Sequence, residues 1–275
     1  MIAYVHDALT WEDLVANGAR QLWIYDLDAK TRRYLTEGAE PTWSPDGEAI
    51  AFVRQGTNGQ LEIWEVRVTN GAVRRLATSD RSLFMPDWHP SENKVLYVGG
   101  SPNGLWTVDT STLKSSSVAD FLRDPDWSPD GKAIAGGGGV RVMDMARLDS
   151  VRTLIRALTT GDCAWAPSGD EIAFDEWGDP AATGISVINV DTGARHPLVA
   201  LGFEPTWSPD GRRLAFAARD SVTNCSTLFV WDREEHSCEQ LTSVCDYLPP
   251  DSCDAWLTRI HEEEIGTSNT RAREW

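Results

Sequence analysis

The chain of 275 residues has no long hydrophobic run and no excess of positive charge. No stretch approaches the ~18 consecutive apolar residues that a membrane-spanning helix needs, so direct membrane insertion is not expected. Lys and Arg number 25 against 42 Asp and Glu, which gives a formal net charge of −17. Such a field repels the phosphate backbone, so nucleic acid is not an expected partner. An acidic surface suits basic partners or cations without selecting one of them.

The sequence also lacks the signatures of common catalytic sites. It contains no Gly-x-Ser-x-Gly nucleophile elbow, no phosphate-binding loop and no His-Glu-x-x-His zinc motif. The glycine run 136–139 is not followed by Lys-Ser/Thr, so it is better explained by a tight hairpin. The five His are dispersed without ligand spacing. We therefore predict no catalytic residue, no bound metal and no cofactor.

The N-terminal segment and the cysteines point to different cellular compartments. No basic segment followed by an apolar run opens the chain, so no signal peptide is predicted, which favours the cytoplasm. Four of the five Cys fall between residues 225 and 253 without metal-type spacing. This clustering favours a periplasmic or extracellular location, with a trimmed N-terminus. A hairpin turning near Glu234 would place Cys225 opposite Cys245 and leave Cys238 with Cys253, one of three possible connectivities.

One unit of sequence recurs five times. Its fullest copies are Glu40-Pro-Thr-Trp-Ser-Pro-Asp-Gly47 and Glu204-Pro-Thr-Trp-Ser-Pro-Asp-Gly211, each followed by an apolar segment. The repeated tryptophans are Trp43, Trp88, Trp127, Trp165 and Trp207. Pro presets φ, Asp suits the third turn position and Gly supplies φ > 0, so each unit predicts strand, tight turn, strand. The unit containing Met85 departs most, with His89-Pro-Ser-Glu-Asn93 at the turn, where we expect less regular geometry.

A second pair of strands follows in each unit, as at 61–68 and 73–76, with the alternating pattern of antiparallel hairpins. Four short strands in about 40 residues are typical of a propeller blade. Over residues 1 to about 245 the chain resembles the TolB-like propellers, relatives of the WD-repeat proteins, whose mark is the Pro-x-Trp-Ser-Pro-Asp-Gly-x-x-Ile-Ala-Phe repeat. The resemblance implies an all-β propeller of four-stranded antiparallel blades. The five Trp units and the partial unit at the N-terminus together predict a six-bladed β-propeller. Proteins of this family often bind other proteins.

The chain begins part-way through a repeat unit, so the first blade is incomplete at its N-terminal side. Residues 2–5 match its second strand, and the innermost Trp strand is missing. Ser252-Cys-Asp-Ala-Trp256 resembles Asp162-Cys-Ala-Trp165, so we predict that a C-terminal strand closes the ring in the first blade. The alternative is a disordered tail over 246–275. The predicted propeller domain covers 1–258 and a C-terminal tail covers 259–275, while residues 10–18 predict one or two helical turns inserted in blade one.

The function expected from this fold is a non-catalytic scaffold, not an enzyme, that binds a protein or peptide partner through one loop face. The uniform turns crowd one end of the ring, and the loops at the other end differ between repeats, as recognition requires. Aromatic and Arg side chains anchor interfaces. The alternative is that several of these aromatics fold inward and cover the ends of blades. The candidate contacts in these variable loops are Trp11, Arg54, Arg81, Phe84, Phe121, Arg123, Asp175, Trp177, Phe203 and Arg219.

Two other functions fit the same fold. One is a propeller enzyme acting on a sugar or lactone, which requires His or carboxylate side chains that converge at the channel mouth. The other is a sensor or assembly domain of a larger complex.

Overall fold

The computed structural model describes residues 1–6, 20–100, 104–120, 123–156, 159–177, 183–200, 202–219 and 226–242. Within these ranges the chain forms six antiparallel sheets, which follow one another as the blades of a ring. The fold predicted from the repeat, an all-β six-bladed propeller, is confirmed. No helix with the length and hydrophobicity of a membrane span occurs in these ranges.

The strands are numbered in chain order. Blade one contains β1 (Ile2–His6), β2 (Gln21–Asp26) and β3 (Thr31–Glu37). Blade two contains β4 (Ala39–Trp43), β5 (Ala49–Gln55), β6 (Leu61–Arg67) and β7 (Val73–Ala77). Blade three contains β8 (Leu83–Trp88), β9 (Lys94–Gly99), β10 (Gly104–Asp109) and β11 (Ser115–Asp120). Blade four contains β12 (Arg123–Trp127), β13 (Ala133–Gly137), β14 (Arg141–Asp144) and β15 (Arg147–Thr153). Blade five contains β16 (Thr160–Trp165), β17 (Glu171–Glu176), β18 (Gly184–Asn189) and β19 (Arg195–Ala200). Blade six contains β20 (Gly202–Trp207), β21 (Arg213–Arg219), β22 (Ser226–Asp232) and β23 (Ser237–Gln240).

The Ser-Pro-Asp-Gly turns are held by short side chains that bond to the backbone. In blade two the Ser44 hydroxyl donates to Asp46 Oδ1 at 2.6 Å and accepts from Ala49 N at 2.9 Å. Asp46 Oδ1 also accepts from Glu48 N at 2.9 Å, and Gly47 takes a φ of 70°. The same bonds recur in the turns that begin at residues 128 and 208. The repeated Asp-Gly pairs therefore stabilise turns.

Blade three makes the equivalent turn with a different side chain. His89 is buried, and its Nδ1 accepts hydrogen bonds from Ser91 N at 3.2 Å and Glu92 N at 3.0 Å. Because Nδ1 accepts, the proton of the neutral ring resides on Nε2. The ring packs edge-on against Trp127 of blade four, with 4.6 Å between the ring centroids. One imidazole thus replaces the serine and aspartate of the other turns.

We expect His89→Ala to lower the free energy of unfolding by about 2 kcal/mol, because two hydrogen bonds and an aromatic contact are lost. Urea denaturation followed by tryptophan fluorescence measures the change. His196→Ala, at an exposed position of β19, is the control and should change stability by less than about 0.5 kcal/mol. Equal effects of the two substitutions would show that His89 does not hold the turn.

Apolar clusters join consecutive blades from one to six. In the first, Leu22 and Ile24 of blade one pack with Phe52 of blade two, all almost fully buried. Between blade six and blade one, Glu239 of β23 pairs with Lys30 in the β2–β3 turn. The first and last described blades are therefore neighbours in the ring.

Several predictions fall outside the described part of the chain: the closing strand near Trp256, the inserted helical turns at 10–18, the domain boundary at 258, and Cys225, Cys245 and Cys253. Ring closure by a C-terminal strand thus stays a prediction. Cys238 lies opposite Trp231 in the β22–β23 hairpin, which has the predicted register. The glycine run forms the predicted tight connection, from β13 to β14.

Candidate binding site at the channel mouth

The two faces of the ring carry different connections. The turns after each innermost strand, and those between third and fourth strands, lie on one face, here called the turn face. The connections between second and third strands, and those between blades, lie on the opposite loop face. Because neighbouring strands are antiparallel, the predicted contact residues within the described ranges belong to segments at the loop face.

The predicted contacts differ in how accessible they are. Trp177 is exposed, as are Arg81 and Arg123, whereas Phe84 and Phe203 are half-buried. Trp11, Phe121 and the side chain of Arg219 lie outside the described part of the chain. Asp175 is only 3% exposed, so it does not offer a surface contact.

Arg54 is already engaged inside the fold. Its guanidinium donates to Glu37 O at 3.0 and 2.8 Å and to the Thr36 hydroxyl. It also lies over the rings of Phe52 and Trp64, 5.1 and 5.4 Å from their centroids. These contacts join blade two to blade one and give Arg54 a structural role.

Carboxylates that the sequence analysis did not single out recur at fixed positions before the repeated tryptophans. Of the acidic side chains around the channel, only Asp175 belongs to the predicted contacts. Three residues before Trp, the innermost strands carry Glu40, Asp124, Asp162 and Glu204, and one residue before Trp they carry Asp87 and Asp126. In the Pro-x-Trp copies these two positions flank a proline that is buried or half-buried. Both positions lie on the innermost strands, which surround the central channel of a propeller. The common offset from Trp was the sequence signal for this set.

A bulge at the start of each innermost strand shapes the mouth. Pairing with the second strand shifts register there, for example between Ala39 and Thr42 in blade two. The residue three before Trp takes a positive φ in four blades, 52° at Glu40, 53° at Met85, 47° at Asp124 and 54° at Glu204. Because Met85 shares this conformation, the strain belongs to the blade architecture and not to the acidic residues alone.

The mouth carboxylates interact across blades. Asp124 of blade four and Asp162 of blade five lie close enough for each carboxyl group to shift the pKa of the other. Burial, then repulsion from Asp124, Asp175 and Glu204, raises the pKa of Asp162 to about 8. Burial likewise raises the pKa of Asp124, of Asp175 and of Glu40. The negative charge of Asp124 in blade four also raises the pKa of Glu40 in blade two, so this interaction runs across the channel.

Deeper in the channel, carboxylates bond to the backbone of the following blade. Asp87 Oδ2 accepts from Trp127 N at 2.7 Å, and its Oδ1 accepts from the Thr42 hydroxyl at 3.1 Å. Asp126 Oδ2 accepts from Trp165 N at 2.6 Å. Burial raises the pKa of Asp87 to about 6, and burial together with the Asp87 charge raises that of Asp126 well above its usual value. These two side chains connect blades.

The same connection recurs nearer the mouth. Glu40 Oε2 accepts from Met85 N at 2.6 Å, and Asp175 Oδ2 accepts from Glu204 N at 3.1 Å. Asp175 Oδ1 is buried, and the nearby backbone N–H groups of Gly161 and Asp162 stabilise the charge of this carboxylate. Gly161 lies between Asp175 and Trp177: a methyl group there would be 2.4 Å from Asp175 Oδ1 and 2.6 Å from Trp177 Cζ3. The exposed indole therefore borders the acidic mouth.

Among the residues that the structure describes, Arg123 and Arg20 bring positive charge to the rim of the mouth. Arg123 Nε lies 3.4 Å from Asp124 Oδ2, with a 60% exposed side chain, and Arg20 stabilises the charge of Glu40. Within the described ranges no group of three or more His, Cys, Asp or Glu side chains is placed to hold a metal ion. Carboxylates in a narrow channel focus the field and attract cations. Chemically, the mouth is an acidic well beside an exposed tryptophan.

No protein-family model matches the chain. It is 30% identical over 161 residues to the uncharacterized protein Atu1656 of Agrobacterium fabrum, a match to 56% of this chain and 46% of that protein. It is 23% identical over 164 residues to the uncharacterized peptidase YuxL of Bacillus subtilis, 56% of this chain and 24% of that protein. The chain thus spans less than half the length of these curated relatives.

Solved structures share the fold at low identity. TolB from Acinetobacter baumannii has 20% identity and a TM-score of 0.72, covering 86% of this chain and 62% of that one. A structure assigned to TolB from Agrobacterium tumefaciens has 15% identity and a TM-score of 0.68, covering 81% and 88%. An oligogalacturonate lyase in complex with manganese has 15% identity and a TM-score of 0.53, covering 82% and 69%. The fold is a TolB-like propeller, and propellers of this shape include enzymes.

Proposed function

We propose that this protein is a non-catalytic propeller that binds a protein or peptide partner at its loop face, with the channel mouth at the centre of the contact. The observation that carries the proposal is the acidic well of Asp124, Asp162 and Glu204 beside the exposed Trp177. Interface hot spots combine a large aromatic anchor with complementary charge. The loops around this mouth differ from blade to blade, whereas the turn face repeats.

A binding role is also supported by the tasks that the carboxylates already perform. Glu40, Asp87, Asp126 and Asp175 each accept a backbone amide of the following blade. Side chains committed in this way are poor general acids or bases, because they cannot turn towards a substrate without breaking a bond between blades. Binding needs only the field that they create.

The second candidate is an enzyme acting on a sugar at the mouth. It is favoured by Asp124 and Asp162, because a carboxyl group with a raised pKa next to a carboxylate is the pairing used in acid–base chemistry on glycosides. Turnover of any member of an oligosaccharide and lactone panel, lost in Asp162→Asn, would favour this candidate over the scaffold.

Site-specific photo-crosslinking in the source cells tests the proposed binding face. The photoreactive residue p-benzoylphenylalanine is placed at Trp177 on the loop face or at Leu113 on the turn face, positions that are 48% and 49% exposed. We expect a discrete crosslinked product at position 177, identifiable by mass spectrometry, and none at position 113. Products that form at 113 in preference to 177 would place the partner on the wrong face for this proposal.

A further inference from the structure

We propose that residues 252–256 form the innermost strand of blade one, with Trp256 filling the junction between blades six and one. The sequence predicts only that a C-terminal strand closes the ring. The described blades add the place, the register and the direction of that strand, and with them the face from which the following residues emerge. The place of this strand is independent of the function proposed above.

The inner edge of β1 is open to a further strand. β1 pairs with β2 along its whole length, from Ile2 opposite Tyr25 to His6 opposite Gln21. In the five other sheets the second strand pairs on both sides, with the innermost strand and with the third. Among the described strands, none pairs with the other edge of β1. The backbone N–H and C=O groups along that edge form a template for one more strand.

The register of the other blades specifies how a strand fits this edge. In blade two Trp43 lies opposite Ile50, and every other repeated Trp lies opposite the corresponding Ile, Val or Leu of the next strand. In β1 the corresponding residue is Ile2, because β1 and β5 both continue from it with Ala, an aromatic residue and Val. The added strand therefore runs antiparallel to β1 with Trp256 opposite Ile2.

The repeated tryptophans build the cores between blades. Each of them lies in the apolar cluster that joins its own blade to the preceding one: Trp43, Trp88, Trp127, Trp165 and Trp207. These five clusters join blades one to six in order. Within the described residues, no such cluster joins blade six to blade one. Trp256 is the tryptophan that the repeated sequence supplies for this sixth junction.

The face of blade one at this junction is aromatic. Leu22 and Ile24 pack against blade two, so Trp23 between them lies on the opposite face of the sheet, towards blade six. The Trp23 ring contacts Tyr34 edge-on, with 5.7 Å between the ring centroids, and Tyr34 is 46% exposed. The junction therefore presents apolar surface that a further side chain can cover.

Equivalent tryptophans in two other blades are more fully covered. Trp64 of blade two and Trp106 of blade three follow the same register shift as Trp23. Each packs in the cluster shared with the preceding blade, together with the repeated Trp of its own blade, and its indole nitrogen is buried. The Trp23 indole instead donates an exposed hydrogen bond. We expect Trp256 to cover Trp23 as the repeated tryptophans cover its two equivalents.

The chain is long enough to reach this position from blade six. The described part of blade six ends at Thr242, and Ser252 follows ten positions later, a distance of up to about 33 Å for extended chain. The innermost and outermost strands of a blade are three strand spacings apart, about 15 Å. Connections between the other blades also pass from an outermost strand to the next innermost strand at the loop face. The proposed path repeats this order.

The direction of the strand decides where the chain goes next. In blades two to six every innermost strand begins at the loop face and ends, after its Trp, in a turn at the turn face. A strand of the same direction in blade one brings residues 257–275 out at the turn face. The loop face, where we place the partner, then does not carry these residues.

Thermal unfolding of two full-length variants tests the place of Trp256. We expect Trp256→Ala to lower Tm by at least about 6 °C, because a large side chain is removed from a core between blades. Trp275→Ala changes the same residue type beyond the proposed strand and should shift Tm by less than about 2 °C. Equal shifts in the two variants would overturn the proposal.

An engineered disulfide tests the register. Ala3 and Ala255 are opposite in the proposed pairing, as Ala51 and Thr42 are in blade two. With both alanines replaced by cysteine, mild oxidation should link positions 3 and 255 within one molecule, because opposite Cα atoms of antiparallel strands lie within the span of a disulfide. Ala3→Cys with Ala272→Cys is the matched control and should give no such link. Non-reducing peptide mapping by mass spectrometry identifies the linked positions.

The possible occupants of the edge give different products. A link between positions 3 and 255 within one molecule supports the proposal. A link that joins two molecules would mean that a second copy supplies the strand, and no link between these positions would mean that another chain segment or a partner covers β1; either result overturns the proposal. If Trp256→Ala does not fold, the cysteine pair, which keeps Trp256, decides alone.

Discussion

Replacing Asp162 by asparagine is expected to stabilise the protein increasingly as the pH rises, with a gain over wild type that grows by about 2–4 kcal/mol between pH 5 and pH 8.5. The pKa of Asp162 is raised from 3.8 to about 8 by burial and by three neighbouring carboxylates. Its stabilising contribution is therefore complete below about pH 3.8 and is lost as the pH rises through about 8. Each pKa unit corresponds to about 1.4 kcal/mol, and the interaction between the charges of Asp162 and Asp124 makes the measured change smaller than the full value.

Urea denaturation of both proteins at pH 5, 7 and 8.5 measures this effect. Asp191→Asn, an exposed substitution in the β18–β19 turn, removes the same charge and is the control, with a pH profile that parallels wild type. The assignment of a raised pKa to Asp162 fails if the Asp162→Asn profile also runs parallel to that of wild type over this range.

Replacing Gly137 by alanine is expected to cost about 3 kcal/mol of stability. A Cβ at this position would lie 2.3 Å from the carbonyl oxygen of Gly161, which belongs to the backbone of the next blade. Flexible side chains can move away from a new methyl group, but β13 and β16 are held in adjacent blades and cannot move apart without weakening the cluster between blades four and five. The same methyl group would lie 3.6 Å from Asp124 Oδ2, so the channel mouth should be disturbed as well.

Thermal and urea unfolding of Gly137→Ala measure the loss, with Gly47→Ala as the comparison. Gly47 has a φ of 70° and open space around it, so its substitution costs about 1–2 kcal/mol through backbone strain alone. A smaller loss at 137 than at 47 would mean that the two blades adjust to the methyl group.

The fold and its two faces follow from the sequence because each is a local property repeated many times. The Ser-Pro-Asp-Gly motif predicts the tight turns on one face of the ring. Because successive strands run in opposite directions, Trp177 and Arg81 then both belong to the opposite, loop face. Blade three departs from the motif at His89 and still forms a turn. There an imidazole nitrogen accepts hydrogen bonds from backbone N–H groups, as serine and aspartate do in the other turns.

The candidate site is harder to predict from the sequence, because its residues are far apart in the chain and come together only in the folded ring. Asp124 and Glu204 are 80 positions apart in the chain, and only the closing of the ring brings them to one mouth. Asp175 was expected at the surface, but its carboxylate lies against Gly161 and accepts a hydrogen bond from Glu204 N. Arg54 was expected to be a contact, yet its guanidinium finds carbonyl and hydroxyl acceptors on blade one, which no local pattern reveals.

The bonds that run from a carboxylate of one blade to a backbone amide of the next do not depend on which blade follows. The donors to Asp87 and Asp126 are the main-chain amides of Trp127 and Trp165, which occupy the same place in the repeat. Every copy of the unit carries this amide, so a gene rearrangement that reordered the blades would still give each acidic side chain a donor. Blade five carries Ala164 where the other two have aspartate, so a duplicated unit can gain or lose this bond by one substitution without any change in its neighbour.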